Sequence, residues 1–231
     1  MRDARLRRAE RRAVIEGPHL LAAALAAGVQ PVAVFGTEAG LAKPEVAGLV
    51  RNALVLSPAV FRAIADAETP PGVAAEVPIP EREGGSPAVF LEGIQDAGNV
   101  GAIIRSAAAF GIRSVFLDRS CADPWSPKVL RAGMGGHFLT AVRPVEDLAA
   151  AARGTRLVCT VVRGGRPLRE ADLSGRLGWA FGAEGTGLSP ALLEMAAERV
   201  TIPMAAGESL NVAAAAAVCL YEAFSRPAAG S

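Results

Sequence analysis

Short apolar runs alternate with helix-like segments along the larger, C-terminal part of the chain. Each run suits a buried strand, and between the runs small and apolar residues recur at helical spacing. This alternation predicts an α/β fold, with a mostly parallel sheet that carries helices on both faces. The predicted strands are residues 88–91, 114–117, 138–142, 157–162, 179–181 and 200–202. Helices are predicted over residues 99–110 and 145–153, each followed by a candidate C-cap glycine, Gly111 and Gly154.

The front of the chain has a different pattern. Strands are predicted over residues 13–16 and 31–35, an Ala/Leu helix over 18–27, and a mixed segment over 54–65, which together indicate a small α/β module. Residues 70–87 are rich in proline and glycine and favour a connector. We therefore expect a small α/β domain at residues 1–78, a linker at 79–87 and a second domain at 88–231.

Composition narrows the class of protein. The chain has 231 residues, of which 51% are hydrophobic and 20% charged, so it can bury a full core and is not intrinsically disordered. Its formal charge of +1 argues against binding nucleic acid by overall charge. The longest apolar stretch, residues 212–221, is about half the length of a bilayer-spanning helix. We expect a cytoplasmic protein without a membrane segment.

Positive charge is concentrated at the start of the chain. Residues 1–12 hold six arginines against Asp3 and Glu10, a local balance of +4. The pattern fits a solvated helix face as well as it fits a phosphate contact. The arginines of this tract are Arg2, Arg5, Arg7, Arg8, Arg11 and Arg12.

Cysteine and histidine are too few for many kinds of chemistry. Cys121, Cys159 and Cys219 lie far apart without a CxxC pair, so we interpret them as buried reduced thiols. With only His19 and His137, we expect no metal site and no His-dependent catalytic triad. His137 is interpreted first as a structural histidine, with a substrate-facing role as the alternative.

Polar residues stand at the ends of three predicted strands, where parallel sheets bind ligands. In residues 91–111, Asn99 is predicted to cap a helix whose first half contains Arg105. A lone helical arginine is more often solvated or paired than functional. Only its place at the carboxyl edge of the sheet makes Arg105 a candidate.

Two glycine-containing loops follow later strands. Residues 179–190 place Gly182, Glu184, Gly185 and Gly187 between a strand and a helix, and glycines let a ligand approach the backbone, although a tight structural turn explains them equally well. The spacing matches neither a dinucleotide fingerprint nor a phosphate loop.

The loop after the last predicted strand, within residues 202–224, leads through Ser209, Leu210 and Asn211 into a helix of small residues. Gly207 and Ser209 hint at a nucleophile elbow. Asn211 stands where its last glycine belongs, which argues against a serine hydrolase.

Taken together, these segments resemble the SpoU/TrmH family of RNA ribose 2′-O-methyltransferases, within the SPOUT class, across residues 88–226. The front segment, residues 5–28, and the later TPPGVAAEV resemble the family's small RNA-binding domain. The first motif departs from the family at Asp96-Ala97-Gly98, where Asp-Pro is usual, and we expect a looser turn there. The matching residues are Asn99, Gly101 and Arg105 in the first motif, Gly182, Glu184, Gly187 and Leu188 in the second, and Ile202, Pro203, Met204, Ser209, Leu210, Asn211 and Val212 in the third.

The resemblance implies a SPOUT-type sheet with a C-terminal deep trefoil knot, a homodimer, and S-adenosylmethionine as the cofactor. Ribosomal RNA is the expected substrate and tRNA the alternative. The implied cofactor-binding residues are Gly182, Glu184, Gly187, Ile202, Met204, Ser209, Leu210 and Asn211. The implied RNA-binding residues are Arg5, Arg7, Arg8, Arg11, Arg12 and Arg105.

For catalysis, the resemblance implies Arg105 as the central residue, supported by Asn99, Glu184, Ser209 and Asn211. Deprotonating a free arginine at pH 7 costs about 7 to 9 kcal/mol. We therefore favour Arg105 acting together with an RNA phosphate, orienting the ribose hydroxyl and stabilising the developing alkoxide. Two rivals remain: a non-catalytic RNA-binding protein, and a methyltransferase acting on a small molecule or a protein.

Overall fold

A computed structural model describes residues 3–226, which form two sheets and the helices packed on them. The helices of this part of the chain are α1 Ala4–Glu10, α2 Pro18–Ala26, α3 Glu38–Leu41, α4 Pro44–Ala47, α5 Pro58–Ile64, α6 Ala97–Ala109, α7 Pro127–Gly133, α8 Leu148–Ala152, α9 Pro190–Glu194 and α10 Val212–Ser225. The strands are β1 Arg12–Glu16, β2 Ala33–Gly36, β3 Leu54–Val55, β4 Val73–Pro78, β5 Ala88–Glu92, β6 Ser114–Leu117, β7 Ala141–Pro144, β8 Arg156–Thr160, β9 Arg166–Pro167, β10 Leu177–Gly182 and β11 Glu198–Thr201. Short 3₁₀ turns occur at Gly136–Phe138 and Leu168–Glu170.

The front sheet has the strand order β1-β4-β2-β3, and β4 pairs antiparallel with both of its neighbours. This strand lies inside the segment that we expected to be a connector, so the prediction is wrong for residues 73–78. Pro70 and Pro71 come before the strand and Pro78 ends it, and prolines at strand ends do not interrupt the ladder. The proline count alone could not show that they bracket a strand.

The second sheet is parallel throughout its described pairs, with the order β7-β6-β5-β10-β8-β11-β9. The predicted α/β fold is therefore confirmed. One predicted strand, residues 138–142, is wrong at its start, because Gly136–Phe138 form a 3₁₀ turn and β7 begins at Ala141. A short apolar run can be buried in a turn as well as in a strand, and its periodicity does not distinguish the two.

Alternating side chains of the parallel strands pack into two separate apolar layers. On β5, Val89 and Leu91 face the layer that includes α6 and α10, whereas Ala88 and Phe90 face the layer that includes α8 and α9. Gly111 and Gly154 follow α6 and α8 with φ of 72° and 74°, which confirms them as terminating glycines. No helix within residues 3–226 combines the length and apolar character needed to cross a bilayer.

The front sheet is docked onto α7 and the turn that follows it. Trp125, Leu130 and Phe138 belong to the same buried cluster as the apolar residues of β1, α2 and β4. Beside this cluster the Arg7 guanidinium donates to Asp123 Oδ2 at 2.6 Å, and the Arg7 side chain is only 4% exposed. The two sheets therefore share an apolar core and an ion pair.

Buried thiols and one buried histidine complete the interior. Cys159 and Cys219 are buried, Cys121 is half-buried, and all three are free thiols, as predicted. Burial raises the pKa of Cys159 to about 11 and the pKa of Cys121 and of Cys219 to about 12, so all three stay protonated at neutral pH. His137 is fully buried, and its Nε2 lies 2.8 Å from the carbonyl oxygen of Pro124. This position supports the structural interpretation of His137.

Burial should make His137 a source of acid sensitivity. It lowers the pKa of His137 from 6.5 to about 4, against the opposing effect of the Pro124 carbonyl. Between these two values the unfolded chain binds a proton that the folded protein does not, so the free energy of unfolding falls as pH drops through this window. The expected loss reaches about 3 kcal/mol by pH 4.

Denaturant unfolding of wild type and His137→Gln at pH 7.5, 5.5 and 4.5 measures this effect. The variant should be less stable at pH 7.5 but should lose less stability on acidification. His19→Gln, which changes the exposed histidine, serves as the control. Equal acid losses in wild type and His137→Gln would contradict the assignment.

Candidate active site

The first motif begins with a helix cap. The Asp96 carboxylate accepts a hydrogen bond from the Asn99 backbone N–H at 2.7 Å, and α6 starts at Ala97. The prediction that Asn99 caps this helix is therefore wrong, because Asp96 has the better position for an N-cap side chain. The same bond closes the turn that we expected to be loose. With Asp96 as the cap, the Asn99 side chain is available for other contacts.

The side chains of Asn99, Glu184 and Asn211 form one hydrogen-bonded group, here called the amide–carboxylate triad. Glu184 Oε1 accepts from Asn99 Nδ2 at 3.1 Å and from Asn211 Nδ2 at 3.0 Å. Asn211 Nδ2 also lies 2.9 Å from Asn99 Oδ1. The structure thus brings together three of the five residues predicted to be catalytic. Asn99 lies in the first turn of α6, Glu184 follows β10, and Asn211 precedes α10.

Asn211 also fixes the start of the last helix. Its Oδ1 accepts from the backbone N–H groups of Ala213 at 3.0 Å and Ala214 at 3.2 Å, so Asn211 is the N-cap of α10. One side chain therefore caps a helix with its oxygen and holds the other two members of the triad with its nitrogen. This double use makes the orientation of its amide unambiguous.

A cavity of about 360 Å³ opens beside the triad, between the loops after β8, β10 and β11. Its volume is in the range that small-ligand sites have. The wall formed by the β10 loop is tight, since a Cβ on Gly182 would lie 2.2 Å from the carbonyl carbon of Gly187. Seven of the eight predicted cofactor-binding residues line the cavity: Gly182, Glu184, Gly187, Ile202, Met204, Ser209 and Leu210.

The eighth residue, Asn211, does not line the cavity and contributes through the triad. Ser209 lines the wall without a hydrogen bond to any described residue. The chemistry of the walls fits S-adenosylmethionine: Ile202, Met204 and Leu210 give apolar surface for a purine, and the glycine-rich β10 loop gives backbone groups at close approach.

A second cavity, of about 480 Å³, adjoins the first one. Both cavities are lined by residues 183–186 and Val212, and the second also reaches Asn99, so Glu184 of the triad borders both spaces. Polar side chains of Gln95, Asp96 and Ser120 also line it. Sequence reasoning missed Gln95 and Ser120, although both lie in the loops that follow predicted strands.

Two further carboxylates hold the loops around these cavities, and sequence reasoning missed both. Glu92 Oε2, at the end of β5, accepts from the Ser189 backbone N–H at 2.7 Å and so ties β5 to the start of α9. The Asp118 carboxylate, after β6, accepts from the Gly93 N–H at 3.2 Å. Burial alone would raise the pKa of Asp118, but hydrogen bonds from Ser120, Cys121 and Gly93 outweigh it, and the pKa is lowered. Carboxylates at strand ends were the signal that could have found both.

Arg105 lies apart from these groups. Its side chain is exposed, lines neither cavity, and has no hydrogen bond or ion pair with residues 3–226. The structure therefore leaves its guanidinium available to an external ligand and does not join it to the triad.

The arginine tract is divided in the structure. Arg7 is buried against Asp123, so the expectation that it contacts RNA is not supported. Arg11 and Arg12 form ion pairs with Glu81 at 2.9 Å and Glu76 at 3.0 Å. Arg5 and Arg8 are exposed on α1 and have no carboxylate partner among the described residues. Arg2 lies outside the described residues.

Comparison with known proteins identifies the class of this site. A family model described as the SpoU rRNA Methylase family matches residues 86–221. A second model, described as an MRM3-like substrate binding domain, matches residues 1–75. Fold, site and family model together define a methyltransferase, and the chain belongs to the SpoU rRNA methylase family. It is an RNA ribose 2′-O-methyltransferase that uses S-adenosylmethionine.

Similar proteins cover nearly the whole chain. The 23S rRNA (guanosine(2553)-2′-O)-methyltransferase RlmP of Bacillus subtilis is 33% identical, over 90% of this chain and 86% of its own. A solved RNA methyltransferase of the TrmH family from Porphyromonas gingivalis has a TM-score of 0.83 at 30% identity and covers 96% of this chain and 92% of its own. The SpoU methyltransferase AviRb of Streptomyces viridochromogenes, solved with AdoMet, has a TM-score of 0.83 at 27% identity, with coverage of 96% and 92%.

The double use of Asn211 gives a test of the triad. Asn211→Ala removes the cap of α10 and should lower the free energy of unfolding by about 1 to 2 kcal/mol. It also removes one of the two hydrogen bonds that hold Glu184, so affinity for S-adenosylmethionine should fall, measured by calorimetric titration. Asp147→Ala is the matched control, because Asp147 caps α8 through the Ala150 N–H away from both cavities. Equal cofactor affinity in the two variants would show that the triad does not support the cofactor loops.

Proposed function

We propose that the protein methylates a ribose 2′-hydroxyl of ribosomal RNA, of the 23S type, with the reaction centred on the amide–carboxylate triad. The observation that carries this proposal is that Glu184 of the triad borders both cavities. One cavity holds seven of the residues expected to bind S-adenosylmethionine. The 23S rRNA activity named for the relative from Bacillus subtilis supports the choice of RNA.

The two cavities have different parts in this proposal. Gly182, Ile202, Met204 and Leu210 hold the cofactor, which supplies an activated methyl group when bound. The target ribose enters the second cavity, where Asn99 and Asp96 present amide and carboxylate groups. Because residues 183–186 and Val212 line both spaces, the two cavities adjoin, and a ribose in one cavity lies next to a cofactor in the other. Such positioning supplies much of the rate enhancement.

Arg105 acts on the ribose hydroxyl. Its free guanidinium orients the hydroxyl and stabilises the developing alkoxide, together with an RNA phosphate that accepts the proton through Arg105 or passes it to water. Glu184 and the two asparagines keep the motif loops in place during this step. Ser209, at the rim of the cofactor cavity, contributes its free hydroxyl to the same site.

The front domain, residues 1–78, holds the RNA, and residues 79–87 link it to the methyltransferase domain. The match of residues 1–75 to a substrate-binding domain supports this division. Among the described arginines of the tract, Arg5 and Arg8 have no carboxylate partner, and Arg8 donates only its Nε, to the Ala4 carbonyl oxygen, so both guanidinium groups can contact phosphates. Phosphate contacts of this kind set the position of RNA, while bases are read elsewhere.

A homodimer is part of the proposal. Val218, Tyr221 and Phe224 are 42%, 56% and 62% exposed and form one stripe along α10. Both aromatic rings pack on Phe110, the residue after α6, at centroid distances of 5.8 and 5.7 Å. An exposed aromatic stripe of this kind is typical of a protein interface. We also infer the trefoil knot of the family in the C-terminal part of the domain, and a cytoplasmic location.

Transfer of labelled methyl groups from S-adenosylmethionine to unmodified ribosomal RNA and tRNA pools tests the function. We expect label in ribosomal RNA, mapped as a 2′-O-methyl group. Arg105→Ala should lower the single-turnover rate by about 100-fold or more without changing cofactor affinity. Arg153→Ala, an exposed arginine at the end of α8, is the matched control and should keep the wild-type rate.

Each other outcome separates the alternatives. Label in tRNA alone would show that tRNA, the alternative substrate, is methylated instead of ribosomal RNA. Methylation of both RNAs to a low, unsaturable level would point to a small-molecule or protein substrate. Absence of transfer despite cofactor binding would point to another RNA or to a missing partner, whereas absence of both transfer and cofactor binding would leave a non-catalytic RNA-binding protein.

The availability of Arg5 and Arg8 predicts a change in the salt dependence of RNA binding. If each contacts one phosphate, the double variant Arg5→Ala/Arg8→Ala should reduce the slope of log affinity against log salt by about 1.4 to 1.8. Binding to labelled ribosomal RNA fragments at several salt concentrations measures this slope. Arg153→Ala should leave it unchanged. An unchanged slope in the double variant would show that Arg5 and Arg8 contact no phosphate and belong to a solvated helix face.

A further inference from the structure

Arg105 is placed by its backbone alone. Its guanidinium has no partner among residues 3–226, whereas Asn99, Glu184 and Asn211 hold one another by hydrogen bonds. A long side chain without partners keeps its rotamer freedom, so the position of its Cα decides which space it can reach. The contacts that fix the backbone of α6 at Arg105 therefore determine which space the guanidinium can reach.

The turn after α7 lies directly against α6 at this point. A Cβ on Gly136 would stand 3.0 Å from the carbonyl oxygen of Ile104 and 3.1 Å from the Cα of Arg105. The absence of a side chain at Gly136 therefore allows contact between turn and helix backbone. One turn earlier, a Cβ on Gly101 would lie 2.6 Å from the carbonyl oxygen of Val129 in α7. The helix is thus held at two points by backbone contact.

The opposite side of the same turn touches the front domain. A Cβ on Gly135 would lie 2.7 Å from the Cβ of Ala23 in α2, and His19 Nε2 lies 3.3 Å from the carbonyl oxygen of Met134. Residues 134–136, here called the junction segment, are therefore a single layer of backbone between α2 and α6. The Arg7–Asp123 ion pair and the shared apolar cluster hold the domains together around it.

We infer that the junction segment is a positioning element for methyl transfer, through which the front domain sets the place of Arg105 relative to bound RNA. The inference rests on the proposed function. Close packing on both sides leaves no space to absorb a shift, so a displacement of α2 is passed to α6. Because a misplacement of about 1 Å can lower a rate about 100-fold, the front domain contributes to the chemical step as well as to RNA capture.

Gly136→Ala tests the side that faces Arg105. The added methyl group pushes the turn away from α6, so the single-turnover methylation rate at saturating RNA and cofactor should fall at least about tenfold. Affinities for ribosomal RNA and for S-adenosylmethionine should change less than about twofold. Gly48→Ala is the matched control, because a Cβ there meets no atom within 4 Å and its φ of −80° suits alanine.

Ala23→Val tests the side that faces the front domain. Its larger side chain presses on Gly135 and should give the same signature, a lower rate with preserved affinities. If Gly136→Ala shows no cooperative thermal unfolding, that variant is not folded, and the inference is tested with Ala23→Val alone.

A double-mutant cycle distinguishes positioning of Arg105 from a general structural effect. In an Arg105→Ala background, Gly136→Ala should cause no further loss of rate, since the side chain it displaces is already absent. Additive losses, or a loss of RNA or cofactor affinity at an unchanged rate, would overturn the inference. Failure of the unsubstituted protein to methylate RNA would overturn the proposed function instead.

Discussion

The Glu184 carboxylate joins loops that follow three different strands, and the rest of the site depends on this contact. One of its oxygens accepts from the side-chain amides of Asn99 and Asn211. The three residues can meet because β5, β10 and β11 run parallel and end at one edge of the sheet. Asn211 extends the contact into α10 by capping it. The cofactor loops and the last helix are thus organised by a single charged group.

Around this group, close backbone contacts set the shape of the site. Gly182 lets the β10 loop fold back on Gly187 beside the cofactor cavity, and Gly136 lets the turn after α7 touch α6. Such close packing leaves little space for movement, so backbone contacts fix the positions of the loops and of α6 where no side-chain bond does so. The triad and Arg105 are held in place in two different ways. Hydrogen bonds hold the triad, while backbone contact fixes α6 at Arg105, whose side chain has no partner among residues 3–226.

The front domain belongs to the same packed frame. Trp125 and Phe138, from the methyltransferase part of the chain, are buried among the apolar residues of the front sheet. The ion pair of Arg7 with Asp123 lies at the edge of this cluster. Burying an arginine is costly unless it is paired, so this contact specifies one docking geometry. The front sheet and the parallel sheet are thus joined by a shared apolar cluster and an ion pair.

The sequence by itself determined the α/β class, because alternation of apolar runs with helical patterns reflects burial on both sheet faces. The resemblance of three strand-end segments to the motifs of the SpoU/TrmH family also singled out Asn99, Glu184 and Asn211. Only the tertiary structure decided that Asp96 caps α6, that residues 73–78 form a central strand, and that Arg7 is buried. The first is a choice between two good capping residues. The other two depend on partners such as Asp123 that lie far away in the chain, and local pattern carries no information about them.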